Sequence, residues 1–282
     1  ILQDEDFFFH ALEDFDLEDE QLYDMANKGK HFIDQGEYDK AVKELQKVVS
    51  RDPTLVFARN NLALAYFCNG DADKALETTE DILFEYPLNV HALCNMAIFL
   101  TDNGEVDRAE EYIKTLTGMP FMDGEDIHKI AVTLCELRRH REAYRYLKML
   151  LQYKPYDIRI LHYTAVASVN LKQYNEALSY WSKIDKISPN NTISSYYKRC
   201  TIQILNGRRY FKEVSYNFQV SYEEMINRVK RINDYVNMPP DEQRQRWTED
   251  DTLYNLFNWG LGLSDSGIKR AILTTVASFA DE

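Results

Sequence analysis

Apolar residues recur along this chain at helical spacing, every third or fourth position, in short amphipathic runs rather than in alternation. The stretch "RNNLALAYFCNGDADKALETT" (Arg59 to Thr79) shows the unit: an apolar helical run closes at Gly70, and a second run opens directly after it. The runs repeat with a fixed step of 34 residues. Small residues occupy Gly29, Ala63, Ala97, Ala131 and Ala165 in the first run of each unit, and Ala41, Ala75, Ala109, Ala143 and Ala177 in the second. Gly36, Gly70 and Gly104 keep the same step before Arg138 and Lys172 replace them, and Pro53, Pro87, Pro155 and Pro189 close the second runs. Large apolar residues follow each second-run alanine at Val48, Ile82, Leu116, Leu150 and Ile184. This pattern predicts a stack of antiparallel helix pairs. The small residues let neighbouring helices approach, glycine supplies a left-handed cap, and proline ends the hydrogen-bond ladder.

The grid is similar to that of the tetratricopeptide repeat family. Gly29, Phe32, Gly36, Tyr38, Ala41 and Pro53 carry the resemblance in the first unit, and Leu62, Ala63, Tyr66, Gly70, Ala75 and Pro87 in the second. The fifth unit keeps Ala165, Tyr174, Ala177 and Pro189 but has Ser168 where an aromatic is usual. The resemblance implies an all-α, right-handed superhelical solenoid of five units, 22–55, 56–89, 90–123, 124–157 and 158–191. It also implies a binding scaffold without family chemistry, and first helices that line a concave groove.

On that face, Asn27, Asn61 and Asn95 share one repeat position. An amide offers both a donor and an acceptor, so a ladder of amides can hold the backbone of an extended peptide. With Asn60, Lys30, Phe57, Leu64 and Ile98 they form the early part of the expected groove; His91, His128, Lys129, Arg159, His162 and Tyr163 form a polar, partly cationic later part. The family's clamp for chaperone tails is not reproduced: of Ala26, Lys30, Asn61, His91 and Asn95, Asn61 alone fits its role.

Outside the repeats the pattern changes. Residues 1–21 form a head in which acids are mixed with Phe7, Phe8, Phe9, Leu12, Phe15 and Leu17, suited to cap the first repeat or to lie in the groove as a self-ligand. Residues 192–206 read as the first helix of a degenerate sixth unit. Its partner helix is replaced by "FKEVSYNFQVS", which alternates like a short extended strand and is expected to be a connector or a pairing edge. A helix is predicted over 221–238, with Ser221 and Glu224 as a capping box, then a break at "PPDEQRQRW" and two helical stretches, 251–263 and 267–280, weakly similar to a HEAT-type pair. The chain opens on Ile1 and closes inside an apolar pattern, so it is expected to be part of something longer.

Composition narrows the function. The 282 residues carry a net charge of −13, and residues 1–20 hold nine Asp or Glu and no Lys or Arg. Nucleic acid is therefore not expected as the main partner. No run is apolar enough to insert in a membrane. The four cysteines lack close-paired spacing, so reduced thiols in a cytoplasmic protein are expected, with no metal or cofactor. No HExxH, P-loop or GxSxG motif appears, and catalysis is not expected. The expected function is to hold a protein or peptide segment in the groove. The alternative is a regulatory or assembly subunit acting through its convex or C-terminal surfaces.

Overall fold

A computed structural model describes residues 17–119, 123–189, 191–250 and 252–280. Among these residues helices are the only regular elements, without a β-strand, and the chain forms two compact units, residues 1–146 and 147–282.

The first unit contains α1 (Leu17–Asp34), α2 (Tyr38–Arg51), α3 (Val56–Cys68), α4 (Ala72–Glu85), α5 (Val90–Asp102), α6 (Val106–Gly118), α7 (Gly124–Glu136) and the opening turns of α8 (His140–Tyr153). Successive helices pair, and the first helices α1, α3, α5 and α7 also touch one another side by side. The predicted small residues are the close contacts. Ala63, Ala75, Ala97, Ala109 and Ala131 are all at most 1% exposed. Gly29 takes the tightest of these places, since a Cβ there would lie 2.5 Å from Cγ of Leu45.

The second unit contains the rest of α8, then α9 (Ile158–Asn170), α10 (Tyr174–Ile187), α11 (Thr192–Leu205), α12 (Tyr222–Val236), α13 (Pro240–Glu249), α14 (Thr252–Leu261) and α15 (Ser266–Ala280). The helix-pair rhythm persists through α9 and α10 and stops after α11. A second apolar cluster gathers Ile232, Tyr235, Leu253, Leu256, Phe257 and Ile272 from α12, α14 and α15.

Each turn inside a pair uses the same left-handed residue. Gly36, Gly70 and Gly104 have φ of 74°, 89° and 84°. Arg138 and Lys172 take over at φ 56° and 61°, with the same closing bonds from the following amide, Arg139 N–H to the Leu134 carbonyl (2.8 Å) and Gln173 N–H to the Ser168 carbonyl (2.7 Å). A Cβ at such φ is unfavourable, so the surrounding pair holds the turn there. A further 34-residue series sits at the other end of the first helices. Asn89, Asp123, Asp157 and Asn191 are side-chain N-caps, each accepting from backbone N–H groups of the turn it opens.

Four expectations change. The acidic head is shorter than its predicted boundary, because α1 begins at Leu17; its aromatic part, and with it the choice between cap and self-ligand, lies outside the described residues. "PPDEQRQRW" is not a break: Pro240 opens α13, as a residue without an N–H can at a first turn. Gln243 then donates to the carbonyls of Tyr235 (3.1 Å), Val236 (2.9 Å) and Met238 (3.0 Å), satisfying the open end of α12. Ser221 caps α12 by accepting from Glu224 N–H (3.2 Å), but the Glu224 carboxylate turns to Arg228 and Arg199 instead of completing the box. Finally, the alternating segment 211–220 is neither helix nor strand: it bends at 216 and 218–219, closes a tight turn from Asn217 N–H to the Ser215 carbonyl (3.0 Å), and pairs with no strand among the described residues.

Candidate functional site: the face of the first helices

In the second unit this face is already covered. The alternation of the connector sorts its side chains: Val214, Tyr216, Phe218 and Val220 are half-buried or buried, while Ser215, Asn217 and Gln219 between them are exposed. Beneath them stand residues of α9 and α11. Asn170 Nδ2 donates to the Val214 carbonyl (2.8 Å) and its Oδ1 accepts from Val214 N–H (2.9 Å), so one amide satisfies both backbone groups of one residue. Tyr197 Oη donates to the Gln219 carbonyl (2.9 Å). The Phe218 ring stands edge-on to His162 at 5.3 Å, and Tyr163 meets Tyr216 at 6.4 Å.

His162 is the centre of this arrangement and is fully buried. Trp181 Nε1 donates to its Nδ1 (3.3 Å), and an indole N–H cannot accept. The ring proton therefore sits on Nε2, which donates to the Asn217 carbonyl at 3.0 Å. Burial pushes the His162 pKa down to about 4, with the bond to Asn217 opposing, so the ring is neutral in ordinary buffers. Burial likewise pushes Tyr197 up to about 12. The remaining predicted residue of this unit, Arg159, is exposed at the start of α9. Sequence reasoning missed Asn170, Trp181 and Tyr197; the signal for Tyr197 was its place one repeat after Tyr163.

In the first unit the predicted residues separate into two groups. Asn27 and Lys30 on α1 are exposed, Phe57, Asn61 and Leu64 on α3 are half-buried, and His128 on α7 is exposed. Phe57 stacks on Tyr23 at 6.4 Å, and Asn61 Nδ2 donates to the Phe57 carbonyl of its own helix (2.8 Å). The second group is turned inward, against expectation. Asn95 is 3% exposed, its Nδ2 donates to the Asn60 carbonyl (3.2 Å) and its Oδ1 accepts from Lys129 (3.5 Å). Asn60 is buried and donates to the Val56 carbonyl and to the Asn89 cap (3.2 Å). Its Oδ1 is a buried acceptor without a partner among the described residues. Ile98 is 8% exposed and joins the core with Phe99. The physical reason is that first helices touch side by side, so some of the residues read as groove lining are consumed by that contact.

The electrostatics of this face come from one flank. Asp34, Asp102 and Glu136 are exposed and stand one, or two, repeats apart, with half-buried Cys68 between the first two. Partial loss of solvent pushes the Glu136 carboxyl up, Lys129 opposes, and Asp102 adds to the rise. Cys68 is raised by burial and then by Glu136, which places these groups within electrostatic reach of one another. On the other flank, burial and then the Lys129 charge hold His91 below its ordinary value. No group of His, Cys, Asp or Glu among the described residues is arranged to hold a metal ion, and no described helix is long and apolar enough to cross a membrane.

Comparison with known proteins agrees with this architecture. Residues 29–70 match a family model described as a TPR repeat. The pairs that follow repeat the geometry of the matched residues, so the described helices form a TPR-like helical repeat array. Among solved structures it is similar to TTC0263, a TPR protein of Thermus thermophilus, with 15% identity, a TM-score of 0.49 and cover of 64% of this chain and 98% of that one. It is similar to PilF of Pseudomonas aeruginosa at 16% identity and a TM-score of 0.47, over 68% of this chain and 94% of that one. MamA of AMB-1 matches at 24% identity and a TM-score of 0.38, over 58% and 96%. No curated protein matches the sequence.

Proposed function

We propose that this chain is a non-catalytic protein-interaction scaffold, and that the first-helix face of residues 17–146 holds an extended segment of a partner protein. Proteins of this family typically mediate protein–protein interactions. The observation that carries the finer reading is the covered face of the second unit. There a non-helical segment lies on first helices, with its backbone held by Asn170, His162 and Tyr197 and its alternate side chains turned inward. Here side chains of first helices hold the backbone of a non-helical segment, as they can hold the backbone of a bound peptide. In the first unit Asn27 and Asn61 stand at the repeat position of Tyr163 and Tyr197, exposed and half-buried, and Leu64 at that of Val166, half-buried.

The test is photo-cross-linking. A benzoylphenylalanine at Asn27 or Asn61 should trap a partner from a lysate of the source, and the trapped peptide should map to one short segment. The same group at Lys47 or Lys114, exposed on the second helices α2 and α6, should trap far less. Trapping confined to the second helices would overturn the reading.

A further inference from the structure

The covered face also shows what chemistry matches these positions, and the first unit departs from it by placing a carboxylate at three of its four counterparts of Asn170. Around segment 214–220 the facing groups of α9 and α11 are uncharged: neutral His162, Tyr163, Asn170 and Tyr197. The inward residues of the segment, Val214, Tyr216, Phe218 and Val220, are uncharged too. In the first unit the position of Asn170 is taken by Asp34, Cys68, Asp102 and Glu136, while the position of Val166 is taken by Lys30, Leu64, buried Ile98 and Val132. Val132 is 40% exposed and Leu64 half-buried. A segment crossing here would meet an apolar strip bordered by carboxylates. A carboxylate only accepts, so it cannot serve both the N–H and the C=O of one residue as Asn170 does. It gains most from a cation.

Resting on the proposed function above, we infer that the first unit selects an extended partner segment in which apolar residues alternate with Lys or Arg. Asp102 and Glu136 would receive the basic side chains, and Leu64 and Val132 the apolar ones. The chain's net charge of −13 favours the same partner at the encounter stage. The acidic head fits poorly as occupant, because residues 4–16 would bring six more carboxylates against this flank.

The experiment uses the full chain and three labelled synthetic peptides in anisotropy titrations. The basic one is Val-Lys-Tyr-Arg-Phe-Lys-Val, the neutral one is Val-Ser-Tyr-Asn-Phe-Gln-Val, the sequence of the chain's own covered segment, and the acidic one spans residues 4–16. The basic peptide should bind about tenfold more tightly than the neutral one at low salt, and the preference should shrink as salt rises. The double variant Asp102→Asn, Glu136→Gln should melt like the parent and lose the preference. Equal or tighter binding of the neutral or acidic peptide overturns the inference, as does a basic preference that survives in the double variant. If the neutral peptide binds equally and still cross-links from Asn61, the proposed function stands and the charge selection alone fails. If no peptide binds, or cross-links come only from Lys114, both fail.

Discussion

The face of α9 and α11 and the face of α3, α5 and α7 are built on one repeat grid, yet one is finished and the other is not. At α9 every polar group that meets the non-helical segment has a complementary partner: an amide bridges both backbone groups of Val214, a neutral histidine reaches Asn217, and a tyrosine reaches Gln219. At α3 the amide of Asn61 is spent on its own helix, and the flank carries like charges at Asp102 and Glu136. Like charges side by side add nothing to folding. The difference teaches that these repeat positions serve stability where the chain supplies the segment itself; under the proposed function they serve recognition where it does not. Breaking the finished face should therefore cost stability, and changing the open face should cost little.

The largest effect is expected at His162. Its ring is buried among Trp181, Tyr197 and Phe218 and satisfies one donor and one acceptor. His162→Ala should destabilise by about 2–4 kcal/mol, by combining a cavity with two stranded polar groups. Urea unfolding measures this, and limited proteolysis near residues 208–220 should accelerate with it. The same residue gives a pH dependence of definite sign. The folded value is lowered to about 4, below the unfolded value of about 6.5, so acid protonates the unfolded chain first. The stabilisation, about 3 kcal/mol, is present above about pH 6.5 and is lost as pH falls from there through about 4. A His162→Gln variant should lack that step. An unchanged pH profile in the variant would remove His162 as its source.

A smaller effect is expected where the two faces differ by one residue at the same repeat position. Asn170→Ala leaves the N–H and C=O of half-buried Val214 without partners and should cost about 1–3 kcal/mol. Asp102→Ala, two repeats earlier and exposed, should stay within about 0.5 kcal/mol. Equal costs at both would show that the non-helical segment is not held by its backbone.

Much of this was legible from the spacing alone. The 34-residue step located the helix pairs and even the turns at Arg138 and Lys172, where glycine is absent, because backbone geometry follows the grid whatever residue occupies it. The missing second helix of the sixth unit was legible too, since alternation at "VSYNFQV" is incompatible with a helical stripe. The destination of that segment was not, because nothing local in the sequence links residue 214 to residue 170. The helix at Pro240–Glu249 was missed for a related reason: its polar sequence has little apolar periodicity, and Gln243 is held by the end of α12. The site was legible only by position, and position cannot tell a side chain that faces outward from one absorbed between neighbouring first helices.

Asn61 and Asn95 test that last point, with the smallest expected effects. They occupy the same repeat position, one unit apart. Asn95 is 3% exposed, donates to the Asn60 carbonyl and accepts from Lys129. Removing its amide strands a buried carbonyl between α3 and α5, so Asn95→Ala should cost about 1–2 kcal/mol. Asn61 is half-buried, and its bond goes to a Phe57 carbonyl of the same helix. Asn61→Ala should change stability by no more than about 0.5 kcal/mol, as at ordinary surface sites. The order reverses for binding: Asn61→Ala should weaken the peptide by about 1–3 kcal/mol if it leaves buried backbone groups of the ligand unpaired, while Asn95→Ala, turned away from the ligand, should leave affinity nearly unchanged. Thermal melting and calorimetric titration with the basic peptide measure both quantities in the same two variants. If stability and affinity fall together in each, the repeat position does not divide into a structural and a binding member, and the open face loses its distinction from the finished one.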